Sequence, residues 1–239
     1  MDVLLPAFEK QTGYQVQLVS VGSGQALKMA EEGNADVILL HSPAAEKDFM
    51  AKGLGIDRRL VMHNDFIIVG PANDPAKIKD KTPVEALKAL YHTQTIFVSR
   101  GDESGTHVKE LALWKLTGLD PVGQAWYLET GQGQGATLSI ADEKYGYALT
   151  DRGTYLAYRA NLKLEVLVQD DPSLLNVYHV ITVNPEKWPE INLEGAKAFA
   201  DFITSPQGQQ IIRDFGRDKY GQPLFHPDAG KTDAELGLP

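Results

Sequence analysis

Phe97-Val98-Ser99-Arg100-Gly101-Asp102-Glu103-Ser104-Gly105-Thr106-His107 decides how the rest of the chain is read. Residues that fit a buried strand, Thr95–Ser99, give way to a polar loop containing glycine, and a helix opens around His107–Lys115. The first N–H groups of a helix lack intrahelical acceptors and the macrodipole adds positive potential, so such a start attracts anions. Ser104 and Thr106 add hydroxyl donors, Gly105 lets the backbone approach closely, and Arg100 supplies a planar fork of charged donors. The competing reading is an N-capped helix beside a surface Arg–Asp pair. Arg100 at the strand exit, joined by small and hydroxyl residues, favours the anion site. Along the helix, Val108, Leu111 and Ala112 recur at i, i+3 and i+4, which predicts that they face inward and that His107 lies on the surface.

The same design recurs outward from this segment. Tyr14–Val21 alternates like a strand, and Gly22-Ser23-Gly24-Gln25 then leads into a helix over Gln25–Glu32. Ser23 and Gly24 are therefore candidates for a second set of neutral donors. Gly131-Gln132-Gly133-Gln134-Gly135 enters a helix over Ala136–Glu143 with neither dinucleotide spacing nor a P-loop lysine. It is either a third backbone donor, with Gly135 as its candidate residue, or a plain turn. Strands are predicted at Asp36–Leu40, Phe66–Val69, Trp126–Glu129, Tyr147–Leu149, Leu164–Val168 and Tyr178–Val183. Helices fall between them: one ending at Leu4–Glu9, Ala44–Lys52 entered through Pro43, Pro83–Tyr91 capped by Thr82, and Gly153–Ala160. Ala196, Phe199, Ala200 and Ile203 mark another, closed by Ser205-Pro206, which opens the next. This alternation is the pattern of parallel α/β sheets. Gly70–Pro75 is the clearest linker, and the tail from Gln222 to Pro239 lacks periodicity.

Composition excludes several functions. The 239 residues carry 23 basic and 32 acidic side chains, a net charge of −9, without the basic stripe that nucleic-acid binding needs. No run of about 18 apolar residues offers a membrane span. There is no cysteine, so disulfides, thiolate zinc sites and cysteine nucleophiles are out. The six histidines are scattered, so no metal site is expected. No serine sits in a Gly-x-Ser-x-Gly elbow. Arg58-Arg59 reads as a solvated pair, and Thr150-Asp151-Arg152 as a helix cap in preference to an inter-lobe latch. With neither nucleophile nor base, the expectation is a binding protein, not an enzyme, that uses no cofactor.

At this point the residues resemble a family. Arg100-x-Asp102-x-Ser104-Gly105-Thr106 is similar to the phosphate-contacting loop of periplasmic phosphate-binding proteins. The flanking text is closer to the tungstate-binding proteins of ABC transporters: His41-Ser42-Pro43-Ala44-Ala45-Glu46, Arg58-Arg59-Leu60-Val61-Met62, Asn64-Asp65-Phe66, Gly70-Pro71-Ala72, Gly133–Leu138 and Tyr147–Leu156. The resemblance runs from about residue 3 to about residue 228. It implies an α/β, two-lobed periplasmic-binding-protein-like fold, each lobe a mixed sheet flanked by helices. Both chain ends build the first lobe, 1–70 with 177–239, and 71–176 forms the second, with crossings near Gly70–Pro75 and Val177–His179. It further implies a monomer that captures a tetrahedral oxyanion, tungstate or molybdate, in the cleft between lobes for an ABC permease, in the periplasm or an equivalent space. Phosphate or sulfate is the alternative ligand, and a ligand-sensing domain the alternative role. The family's signal peptide is not in this chain, since Asp2 follows Met1 directly. A strand ending in a Thr/Ser-rich loop is also expected before Leu4–Glu9; without it one position in the first lobe's sheet goes unpaired.

Overall fold

The computed structural model describes residues 1–237. The chain divides into two compact units, Met1–His63 together with the chain from Asn176 onward, and Asn64–Leu175. The first unit opens with α1 (Leu4–Thr12), which stops at Gly13 in the left-handed conformation. Tyr14–Val21, expected as a strand, joins no sheet among the described residues, and Leu18, Val19 and Val21 are exposed. Alternation supplies only a preference; a ladder also needs a neighbour to take its hydrogen bonds. Here the Val16 N–H donates to Glu9 Oε1 at 2.8 Å instead.

Next come α2 (Ser23–Glu31), β1 (Val37–Leu40), α3 (Pro43–Ala51) and β2 (Gly55–Pro71). Strand β2 is far longer than the Phe66–Val69 core expected, because charged residues interrupt its apolar pattern. Those charges are not solvated. Glu46, fully buried, accepts from the Ser42 N–H at 2.8 Å and from Arg58 Nε at 3.0 Å. His179 lies between two carboxylates, with Nδ1 3.0 Å from Glu46 and Nε2 3.0 Å from Asp233. Arg59 donates to Asp57 and Asp201. The Arg58-Arg59 expectation is therefore corrected: both arginines are spent within the first unit.

The second unit holds α4 (Pro83–Thr93), β3 (Phe97–Ser99), α5 (Gly105–Thr117), β4 (Tyr127–Glu129), α6 (Gln134–Glu143), β5 (Ala148–Asp151), α7 (Arg152–Tyr158) and β6 (Leu164–Val168). Thr82 and Glu85 form a reciprocal capping box on α4. Strands β5 and β6 run antiparallel to β2, whereas β3 and β4 are parallel, with a parallel bridge from Phe97 to Tyr147. The sheets are mixed, not the parallel ones that alternation suggested. Gly70–Pro75 is packed rather than free. A Cβ at Gly70 would lie 2.3 Å from the Tyr147 ring, and the Tyr147 hydroxyl donates to Asp74 and accepts from the Ala76 N–H, both at 2.9 Å. The crossing expected there falls instead between His63 and Asn64, inside β2.

The chain returns through β7 (Leu175–Val183), α8 (Leu193–Thr204), α9 (Pro206–Asp214), α10 (Arg217–Tyr220) and β8 (His226–Pro227). Strand β7 is antiparallel to β1, with Leu40 opposite His179, and β8 to β2, with His63 opposite His226. Ala196, Phe199, Ala200 and Ile203 are buried as their spacing predicts, on Phe8 of α1 and Val61 of β2. The tail is tied down: Asp228 accepts from Lys231 at 2.8 Å and lies 2.6 Å from His63 Nδ1. Leu238 and Pro239 of the tail lie outside the described residues.

Candidate functional site

The parallel pair β3–β4 ends in two loops that each open a helix, and hydrogen bonds join these loops. Thr130 N–H donates to Ser99 O at 3.0 Å and Gly131 N–H to Arg100 O at 2.8 Å. Gly101 has φ +58°, and a Cβ there would sit 2.8 Å from Glu129 Cβ, so the close approach needs glycine. Thr130 Oγ1 lies 3.0 Å from Thr137 Oγ1 of α6, and Gln134 Nε2 donates to Leu149 O of β5 at 3.1 Å. The starts of α5 and α6 are thereby set beside one another at the carboxyl ends of the strands, where open α/β sheets bind ligands.

Each predicted residue can be placed. Ser104 caps α5, its hydroxyl accepting from the His107 N–H at 3.3 Å. Gly105 and Thr106 form the first turn. Arg100 Nη2 donates to Asp102 Oδ2, and Ser104 N–H to Asp102 Oδ1 at 3.2 Å. Burial works to raise the Asp102 pKa, but the bonds from Ser104 and Arg100 outweigh it and hold the group below its usual value. Arg100 Nε is buried without a partner. The loop thus presents donors, one of them charged and unspent, while its carboxylate is occupied with orienting the fork.

Gly135 lies in the first turn of α6, whose cap, Gly133, makes no side-chain bond. A Cβ at Gly135 would lie 2.3 Å from the Tyr158 ring, so glycine admits that ring. Ser23 and Gly24 open α2 behind Gly22, also without a side-chain cap, but they belong to the first unit. By contrast Asp151 caps α7, accepting from the Thr154 N–H at 2.8 Å, which confirms Thr150-Asp151-Arg152 as a cap. Arg152 is held by Asp65 at 2.9 Å.

Helix α5 overturns one expectation. Val108 and Leu111 are exposed, and the buried face carries Thr106, His107, Glu110, Leu113, Trp114 and Thr117. Leu113 and Trp114 drive this choice, because their burial outweighs that of the smaller Val108 and Ala112. His107 is therefore inside, with Nδ1 accepting from the Glu103 N–H at 3.1 Å. Glu110 escapes a reading of the sequence; its i+4 spacing from Thr106 is the signal that the two share this buried face.

The fold and the donor loop define a substrate-binding protein: residues 1–207 match the family described as the PBP superfamily domain. The chain is 51% identical to the tungstate-binding protein TupA of Peptoclostridium acidaminophilum, over 97% of this chain and 82% of that protein. Among solved structures, the tungstate-binding protein TupA from Desulfovibrio alaskensis G20 superposes with a TM-score of 0.90 at 44% identity, covering 95% of this chain and 92% of that one. The tungstate ABC transporter structure from Geobacter sulfurreducens follows at a TM-score of 0.75 and 48% identity, covering 90% and 91%. The chain belongs to this family of tungstate-binding proteins within the PBP superfamily. It is a family of substrate-binding transport proteins, not of enzymes.

Proposed function

We propose that the protein captures tungstate, or the similarly sized molybdate, and delivers it as a monomer to an ABC permease from outside the cytoplasmic membrane. No helix among the described residues is long and apolar enough to cross a membrane, and the membrane step is assigned to the permease. The observation that carries the ligand choice is the state of Asp102. Hydrogen phosphate brings a proton and needs an acceptor, whereas a fully deprotonated oxyanion needs donors only. Both Asp102 oxygens are engaged, by Arg100 and by the Ser104 N–H, which supports the donor-only ligand. Arg100, Ser104, Gly105 and Thr106 are assigned to it, with Gly135 as a backbone donor. Ser23 and Gly24, on the first unit, enter as a separate donor set to be tested independently.

Titration calorimetry with sodium tungstate, sodium molybdate and inorganic phosphate tests this reading. Tungstate and molybdate should bind far more tightly than phosphate. Tighter phosphate binding would overturn the ligand assignment and give Asp102 an acceptor's role.

A further inference from the structure

The geometry points to Glu110 as a proton-coupled positioning residue: the Arg100 loop holds its oxyanion tightly while Glu110 is protonated and more weakly once it is charged, so that capture takes up a proton. This inference rests on the oxyanion reading above and deepens it. Glu110 is 2% exposed on the buried face of α5, one turn below Thr106. Its Oε1 accepts from the Tyr127 hydroxyl at 2.6 Å, and Tyr127 lies on β4, which pairs with β3, a strand ending at the fully buried Ser99. Ser99 Oγ in turn accepts from the Gly101 N–H at 3.3 Å, within the loop itself. The buried carboxyl therefore stands one helical turn from Thr106 and next to the strand end that frames the donors, where charge on one is felt at the other.

The surroundings supply a hydrogen bond to this group but no counter-ion. Among the described residues no lysine, arginine or histidine pairs with Glu110. From β4, Tyr127 donates to it and Glu129 adds like charge; from β3 comes Ser99; on α5 itself stand Trp114 and, one turn earlier, His107. Lys109, next in sequence, is spent on Ser173 O and Leu175 O. Just before β5 the Tyr147 hydroxyl is spent on Asp74, and α4 contributes Leu87 and Leu90 to the apolar core around Trp114. Burial therefore dominates, pushing the Glu110 carboxyl up to about 7 against the hydrogen bond from Tyr127. Burial and the facing Glu110 also raise the Tyr127 pKa, keeping its hydroxyl a donor. A dianion entering above this group disfavours its charged form, and by linkage the complex binds more protons than the free protein.

The test is calorimetry of the full chain with sodium tungstate at about pH 6.5 and pH 8.5, each in two buffers of different ionisation enthalpy. Tungstate itself carries no proton in this range. Affinity should fall roughly 10-fold at the higher pH, the effect of about one pKa unit of coupling, and the heats should report proton uptake. Glu110→Gln should flatten the profile and abolish the buffer dependence. A carbon NMR titration of the wild-type Glu110 carboxyl, with and without tungstate, gives a second readout that needs no variant; tungstate should raise its midpoint. Binding without proton uptake and without a shifted midpoint would overturn this inference alone. An absence of tungstate binding at both pH values would overturn the proposed function, and this inference with it.

Discussion

Arg100 is the residue on which the site turns. Its Nη2 is committed to Asp102 while its Nε is buried and unpartnered, so the guanidinium is held on one side and keeps an unsatisfied donor on another. A charged hydrogen bond is worth about 1.5–3 kcal/mol, against roughly 1 for a neutral one. Arg100→Ala should weaken tungstate binding by roughly 10- to 150-fold, measured by calorimetry, with the melting curve preserved because the residue lies in a loop. Arg100→Lys restores charge without the planar fork and should fall between. Ser104→Ala should cost less than Arg100→Ala, since the backbone donors of α5 remain. Tungstate binding unchanged in Arg100→Ala would move the site elsewhere.

Among the elements, the contrast between α8 and α5 shows what the sequence made legible. On α8 the apolar stripe is continuous and unopposed, and Ala196, Phe199, Ala200 and Ile203 are all buried. On α5 two stripes compete, and the one with Trp114 wins despite carrying Thr106, His107 and Glu110 inward. Polar residues are accepted there because Tyr127 and the Glu103 N–H answer them, and partners from other elements are invisible in a local pattern. The strand–loop–helix segments with their glycines and hydroxyls were readable because turn chemistry is local. Strand β2 was not, since Arg58 and Arg59 looked solvent-bound until Glu46, Asp57 and Asp201 were placed around them. These pairings make two stability predictions. Glu46→Ala leaves Arg58 without its buried partner and should cost about 3–5 kcal/mol in urea unfolding; a loss under about 1 kcal/mol would refute the role. Asp228 is opposed by burial, yet the His63 and Lys231 bonds hold it below its unfolded pKa of 3.8. Its contribution is therefore present above that pKa and lost as pH falls through the lower folded value. Asp228→Asn should flatten this acid limb of the thermal stability profile; an unaltered limb would assign it to other carboxylates.

At the level of the whole molecule, the two units differ in how the chain supplies them. Asn64–Leu175 is continuous, whereas the other unit is assembled from both sides of it. The continuous unit has its own aromatic core of Phe97, Trp114, Trp126, Tyr127 and Tyr147. Expressed alone, residues 64–175 should unfold cooperatively and give a dispersed NMR spectrum; a random-coil spectrum would show that the unit depends on the rest of the chain. The pairing of Leu40 with His179 carries the point into the time course of synthesis. Domains fold as units while the ribosome is still extending the chain. Strand β1 leaves the exit tunnel early, and its partner leaves only after the whole of the intervening unit has emerged. Until then Ile38 and Leu40, both buried in the finished protein, have no ladder to join. For a protein proposed to work beyond the membrane, that delay keeps the segment around β1 threadable. A strand made before the continuous unit completes its ladder only after it.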